Sequence, residues 1–235
     1  MCGIFGLNIA PESSLNSSEI KEVVSKLFRL SERRGKDASG LMLLTSEYIH
    51  VYKSPIKASK TIKTKKYKDI LNKALENYSS GDGFTLAGHT RMVTHGSENY
   101  QNNNQPILKQ NSVLLHNGII VNEREILQRF TKLKKQYDVD SEVFLLLFNY
   151  FIEKGNNLLV SFKRALNEVK GGNTFALFNA KNKNIYLHSS NGSLYFLNNP
   201  SLGVTVFSSE KNVLLGASKI FLGLTRLENI SEVIQ

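Results

Sequence analysis

Apolar and polar positions in this chain switch several times between a period of two, an unbroken apolar run and a period near 3.6. Gly3 to Ile9 is almost wholly apolar and reads as a buried strand, closed by a turn from Pro11 to Ser14. Asn16, with Glu19 three residues on, can cap a helix on which Ile20, Val23, Val24, Leu27 and Leu30 make one apolar stripe. Arg33 to Gly40 reads as a glycine-punctuated loop, followed by strands over Leu41 to Thr45 and Tyr48 to Tyr52. A lysine-rich stretch leads into a helix over Tyr67 to Tyr78, and Gly81-Asp82-Gly83 turns the chain into a strand from Phe84 to Thr90.

Glu98 to Gln105 is too polar to be expected in a core and reads as a loop, either held against a site or flexible. Val113 to Ile120 is a strand with polar residues at its exit, and helices are predicted over Asn122 to Leu133, Ser141 to Glu153 and Leu158 to Glu168. After Gly171-Gly172 come short β-rich runs: Thr174 to Phe178, Ile185 to His188, Ser193 to Leu197 and Val204 to Ser208. That order suits an α+β sandwich of two sheets covered by helices on its outer faces.

Composition narrows the class. The chain has 235 residues, 41% hydrophobic and 21% charged, enough for one substantial core, so one domain over 1–235 is expected. No signal-peptide pattern precedes Pro11, no apolar run reaches the length of a membrane span, and a single cysteine cannot form an internal disulfide, so a cytoplasmic protein is expected. The net charge of +10 comes largely from Lys53, Lys57, Lys60, Lys63, Lys65, Lys66 and Lys68, with Lys132, Lys134 and Lys135 a second group. No nucleic-acid motif accompanies them, so a solvated face or an acidic partner is expected rather than nucleic acid or a membrane.

The single cysteine follows Met1 directly. Removal of Met1, which aminopeptidases favour before a side chain this small, would leave Cys2 with a thiol and a free α-amine. An amine titrating at about pH 8 can accept the proton of a thiol titrating at about 8.5, so nucleophile and base would sit in one residue. A small buried hydrophobe is the ordinary role of a cysteine. Glycines at 3 and 6, however, suggest a terminus that a ligand approaches closely.

With Cys2 as nucleophile, the polar strand exits acquire complementary roles. Asn117 can offer a side-chain N–H and Gly118 a backbone N–H to an oxyanion, Arg91 can hold a carboxylate bidentately, and Asp140 can accept from an ammonium. Each has a plain alternative: an Asn-Gly turn, a surface ion pair and a helix cap before Ser141. Together they describe glutamine, an amide carried on an amino acid. His89, His95 and His116 could suggest zinc but lack further ligands at suitable spacing, so no metal or other cofactor is expected.

Cys2-Gly3-Ile4-Phe5-Gly6, Arg34-Gly35-Lys36-Asp37-Ala38-Ser39-Gly40, Gly88-His89-Thr90-Arg91 with Thr94-His95-Gly96, His116-Asn117-Gly118-Ile119-Ile120, and Asp140-Ser141-Glu142 stand in the order found in class II glutamine amidotransferases. The chain resembles that family along essentially its whole length, most of all the glutaminase domain of glutamine–fructose-6-phosphate amidotransferase. The resemblance implies an N-terminal-nucleophile fold, a four-layer αββα sandwich of two antiparallel sheets. It implies that Cys2 attacks the glutamine amide, that Asn117 and Gly118 form the oxyanion hole, and that Arg91 and Asp140 hold the amino acid end. Thr94, His95 and Gly96 would line the pocket and Arg34 would support the loop beside Cys2.

Met92 stands where the sugar-phosphate enzyme has a tryptophan, and the family's glutaminase domain ends roughly where Gln235 falls. The expectation is a glutaminase domain or subunit that binds L-glutamine and passes ammonia to a separate synthase, with sugar-phosphate amination as one use. An N-terminal-nucleophile hydrolase of another amide, a glutamine-sensing module without catalysis and a basic scaffold are the alternatives.

Overall fold

The computed structural model describes residues 2–93, 96–222 and 230–232. In chain order the elements are β1 (Gly3–Ile9), α1 (Ser17–Ser31), β2 (Ala38–Leu44), β3 (Ile49–Ser54), α2 (Ala58–Thr61), α3 (Lys65–Ser79) and β4 (Phe84–Arg91). There follow β5 (Ile107–Lys109), β6 (Ser112–Gly118), α4 (Glu123–Arg129), α5 (Ser141–Glu153), α6 (Leu158–Glu168), β7 (Asn173–Asn179) and β8 (Ile185–Ser189). The last are β9 (Tyr195–Asn199), β10 (Val204–Ser208), α7 (Lys211–Leu222) and β11 (Ile230–Glu232).

Two antiparallel sheets face each other. One runs β11-β9-β10-β1-β4-β2-β3 and the other β5-β6-β7-β8. Alternation along each strand sends one set of side chains between the sheets and the other outward. Ile4, Met42, Ala87, Val113, Leu115, Ala176, Phe178 and Phe207 fill the space between them. Phe5, Leu7, Leu41 and Leu86 point the other way, onto α1, α3 and α7, while Leu114, Phe175 and Leu177 meet α5 and α6. The result is the α+β, four-layer αββα arrangement expected.

The caps explain why the first helix starts where it does. Asn16 Oδ1 accepts from the N–H groups of Ser18 and Glu19, and Glu19 Oε2 accepts from Asn16 N–H at 2.9 Å, a complete capping box. Helices α5 and α6 have the predicted bounds.

Several expectations need correction. The predicted loop from Arg33 is already strand from Ala38, because Ala38, Ser39 and Gly40 pair with Arg91, Thr90 and His89 of β4. The helix expected to reach Leu133 ends at Arg129, where Phe130 turns out of the helix to pack its ring on Tyr150 and Phe151 of α5. The strand expected at Ser193 begins at Tyr195, since Ser193 N–H is bound in a turn by Ser189 and Asn191. The space at Gly6 admits no ligand: a Cβ there would lie 2.2 Å from the Phe207 ring, so this glycine lets a core aromatic close over β1.

A buried histidine couples the fold to pH. His89 on β4 reaches across to β6, its Nε2 lying 3.2 Å from the His116 carbonyl, and burial pushes its pKa down to about 3. The unfolded chain therefore binds a proton below about pH 6.5 that the folded chain refuses until about pH 3. Stability is flat above the upper value and falls on acidification through that window. Denaturant unfolding should give a lower midpoint at pH 5 than at pH 7, and His89→Asn should reduce the difference without removing it, because burial also lowers the pKa of His116.

Candidate active site

Cys2 directly precedes β1, the central strand that β10 and β4 flank. Ile4 exchanges backbone and side-chain hydrogen bonds with Ser209, which anchors the start of that strand. Gly3 pairs with Thr90, so the exit of β4 lies beside Cys2, and the thiol donates weakly to the Met92 carbonyl at 3.6 Å. Arg34 Nε donates to the Cys2 carbonyl at 3.3 Å, while Arg34 Nη1 is held by Glu210 at 3.1 Å. Burial pushes the Cys2 thiol up, and the positive charges of Arg91 and Arg34 pull it partly back. The thiol is thus protonated at rest.

The second sheet supplies the opposite wall. β6 ends at Asn117 and Gly118, opposite Thr174 and Asn173 of β7. A cavity of about 390 Å³ is lined by Cys2 from one sheet and by Asn117, Gly118 and Gly172 from the other. Asn117 makes no side-chain hydrogen bond among the described residues, which leaves its amide available. Gly118 has φ +153°, and a Cβ there would meet the Gly172 carbonyl at 2.3 Å, so only glycine allows β6 to end in this position. Met92, Ile119 and Val121 complete the mouth of the cavity, 48%, 47% and 70% exposed.

The remaining described candidates do not line this cavity. Arg91 is buried; its Nη1 donates to Asn104 Oδ1 at 2.8 Å and its Nη2 to the Gly96 carbonyl at 2.9 Å, so Arg91 and Gly96 are brought together. Asp140 Oδ2 accepts from Ile120 N–H at 2.7 Å, two residues beyond Gly118, and caps no N–H of α5 with its side chain. Thr94 and His95 lie outside the described residues, as does Met1.

The polar loop is held against the site, one of the two placements expected for it, but its burial corrects the expectation that its polarity keeps it out of the interior. Asn103, Asn104 and Gln105 are buried because each amide finds a partner. Asn103 pairs with Asp138, Asn104 bridges Arg91 and the Glu98 carbonyl, and Gln105 clamps both backbone groups of His116. His116 is further fixed by Ser141 Oγ and Asn173 Oδ1, both at 2.8 Å, and stacks on Phe175. Sequence reasoning did not single out Gln105, Asn173 or Gly172 for the site. The dense run of Asn and Gln beside a strand exit is the one signal that points to the first. Among the described residues no three His, Cys, Asp or Glu side chains gather as a metal set, and no helix is long and apolar enough to cross a membrane.

The fold and this cysteine-bearing cavity define an N-terminal-nucleophile glutamine amidotransferase domain of class II. The chain belongs to the glutamine amidotransferase domain family, which matches residues 89–216. It is similar to glutamine–fructose-6-phosphate aminotransferase (isomerizing) of Halalkalibacterium halodurans, 29% identical across 94% of this chain and 34% of that protein. The Campylobacter jejuni protein of the same name is 26% identical across 92% of this chain and 33% of its own length. The chain therefore spans about a third of the curated relatives it matches. Among solved structures, the glutamine phosphoribosylpyrophosphate amidotransferase of B. subtilis aligns with a TM-score of 0.62 at 21% identity, over 92% of this chain and 44% of that one. The allosteric regulatory enzyme of purine biosynthesis aligns at 0.66 and 20%, over 92% and 43%. These two share the fold.

Proposed function

We propose that residues 1–235 form one glutaminase domain that hydrolyses L-glutamine and delivers the ammonia to a synthase. The observation that carries this reading is the cavity in which Cys2 of one sheet faces Asn117 and Gly118 of the other. Once Met1 is removed, the Cys2 amine takes the thiol proton as Sγ bonds to the amide carbon of glutamine. The carbonyl oxygen becomes an oxyanion, bound by Asn117 Nδ2 and the Gly118 N–H. The C–N bond then breaks, ammonia leaves with the proton the amine returns, and a thioester remains. Water attacks that thioester, glutamate departs and the thiol is restored.

Arg91, one residue from Met92 of the cavity wall, takes the substrate carboxylate. Asp140 takes the ammonium, Gly96 with Thr94 and His95 shapes the amino acid end, and Arg34 fixes the Cys2 backbone. The exposed apolar side chains of Met92, Ile119 and Val121 at the mouth support delivery to a docked protein rather than to bulk water. The resemblance to fructose-6-phosphate aminotransferases makes a sugar-phosphate synthase the favoured partner.

The test is glutamate and ammonia release from the chain, with the N-terminal mass measured alongside. Equimolar products from chains beginning at Cys2, and little from chains retaining Met1, are expected. Release that is independent of the N-terminal residue would remove the amine from the mechanism.

A further inference from the structure

On the outer helical layer over the larger sheet, α1 and α3 leave a cleft of about 400 Å³. Its floor is the buried, apolar set Ile62, Tyr67 and Leu71, and its rim carries Lys21, Arg29, Lys63 and Lys68, all exposed. No aspartate or glutamate lines it, and the nearby Glu22 is taken by Lys26 at 2.6 Å. Ser25 Oγ accepts from Arg29 Nε at 3.3 Å, which holds that guanidinium at the rim.

Two further features bear on what the cleft can hold. The first turn of α3 contains Lys65, Lys66 and Lys68 and no acid, although a helix N-terminus disfavours cations. Tyr67 is 4% exposed, yet its hydroxyl has no hydrogen-bond partner among the described residues. By contrast, Tyr78 on the same helix donates to the carbonyls of Ser13 and Leu15. The Tyr67 oxygen is not sealed in the interior, so it is open to a group that enters the cleft. An anion brought into the cleft would neutralise the clustered charge, favour the helix end and accept from Tyr67.

We propose that this cleft binds a small organic phosphate, the phosphate at the cationic rim and an apolar body on Ile62, Tyr67 and Leu71. Its volume is that of a small-molecule site, mostly apolar with a few converging polar groups. It shares no lining residue with the Cys2 cavity, so it is a second site whatever the chemistry of the first.

The test is calorimetric titration of the whole chain with 1-naphthyl phosphate, 1-naphthol and inorganic phosphate. Naphthyl phosphate should bind at least about tenfold more tightly than either fragment. The exposed double variant Lys21→Gln/Lys68→Gln should weaken it by about tenfold, while Lys132→Gln/Lys134→Gln, in the exposed segment between α4 and α5, should leave it unchanged. Tyr67→Phe, which keeps the floor, should weaken it measurably without altering thermal unfolding. Equal affinity for naphthyl phosphate and inorganic phosphate overturns the proposal, as does equal loss from the two double variants.

Discussion

Replacing Cys2 with alanine is expected to reduce glutamine hydrolysis by about 10⁴-fold or more while leaving the chain folded. Removing the nucleophile removes the covalent route, and the oxyanion donors alone can stabilise only a direct attack by water, which is far slower. The structural cost is small. Cys2 lies outside β1, is half-buried, and its thiol makes one weak contact, to the Met92 carbonyl at 3.6 Å. Loss of such a bond amounts to about 1 kcal/mol or less. Steady-state glutamate release and a denaturant midpoint, measured on the same sample, check both halves. Persistent turnover would show that another group breaks the amide. Collapse of the midpoint would mean that Cys2 is a core residue and that the activity loss carries no information.

How far the sequence alone leads differs between the scaffold and the site. Helices α1, α5 and α6 were legible because periodicity and caps are local: Asn16 and Glu19 mark one start, and nine of the thirteen residues of α5 are buried. Helix α7 was not, since Val213, Leu214 and Ala217 form a short stripe interrupted by Gly216, and its packing on α1 is long-range. The entry into β2 was misread for the same kind of reason. Asp37-Ala38-Ser39-Gly40 has the composition of a turn, but small residues are what a strand buried between β3 and β4 requires.

In the site, chemistry and motifs point to Cys2, Asn117 and Gly118 as candidates, yet nothing local says that they share a cavity. That depends on two sheets whose strands do not pair with each other. The loop of Asn103, Asn104 and Gln105 marks the sharper limit. Hydropathy assigns such residues to water, whereas reciprocal amide pairing satisfies them inside the protein. Pairing partners as distant as Asp138 and His116 cannot be read from spacing.

The same loop governs the second large effect. Arg91→Ala should raise the glutamine concentration needed for half-maximal rate by about 30-fold or more, with a smaller change in maximal turnover. A bidentate hydrogen bond to a carboxylate contributes about 2–3 kcal/mol, and each 1.4 kcal/mol is a factor of ten. Arg91 also supports the protein, however: without it, Asn104 Oδ1 and the Gly96 carbonyl lose a donor, and the loop that clamps His116 loosens. A rise in the requirement alone would not separate substrate binding from that structural role. Comparing glutamine with 4-aminobutanamide, which lacks the α-carboxylate, does separate them. If Arg91 grips the carboxylate, the parent and the variant should handle the truncated amide nearly alike and diverge only on glutamine. If Arg91 only braces the loop, the same penalty appears on both substrates, and the arginine is a positioning residue behind the cavity wall. Arg91→Lys sharpens the distinction, because it keeps the charge and loses the planar fork, so a carboxylate contact should be recovered only in part.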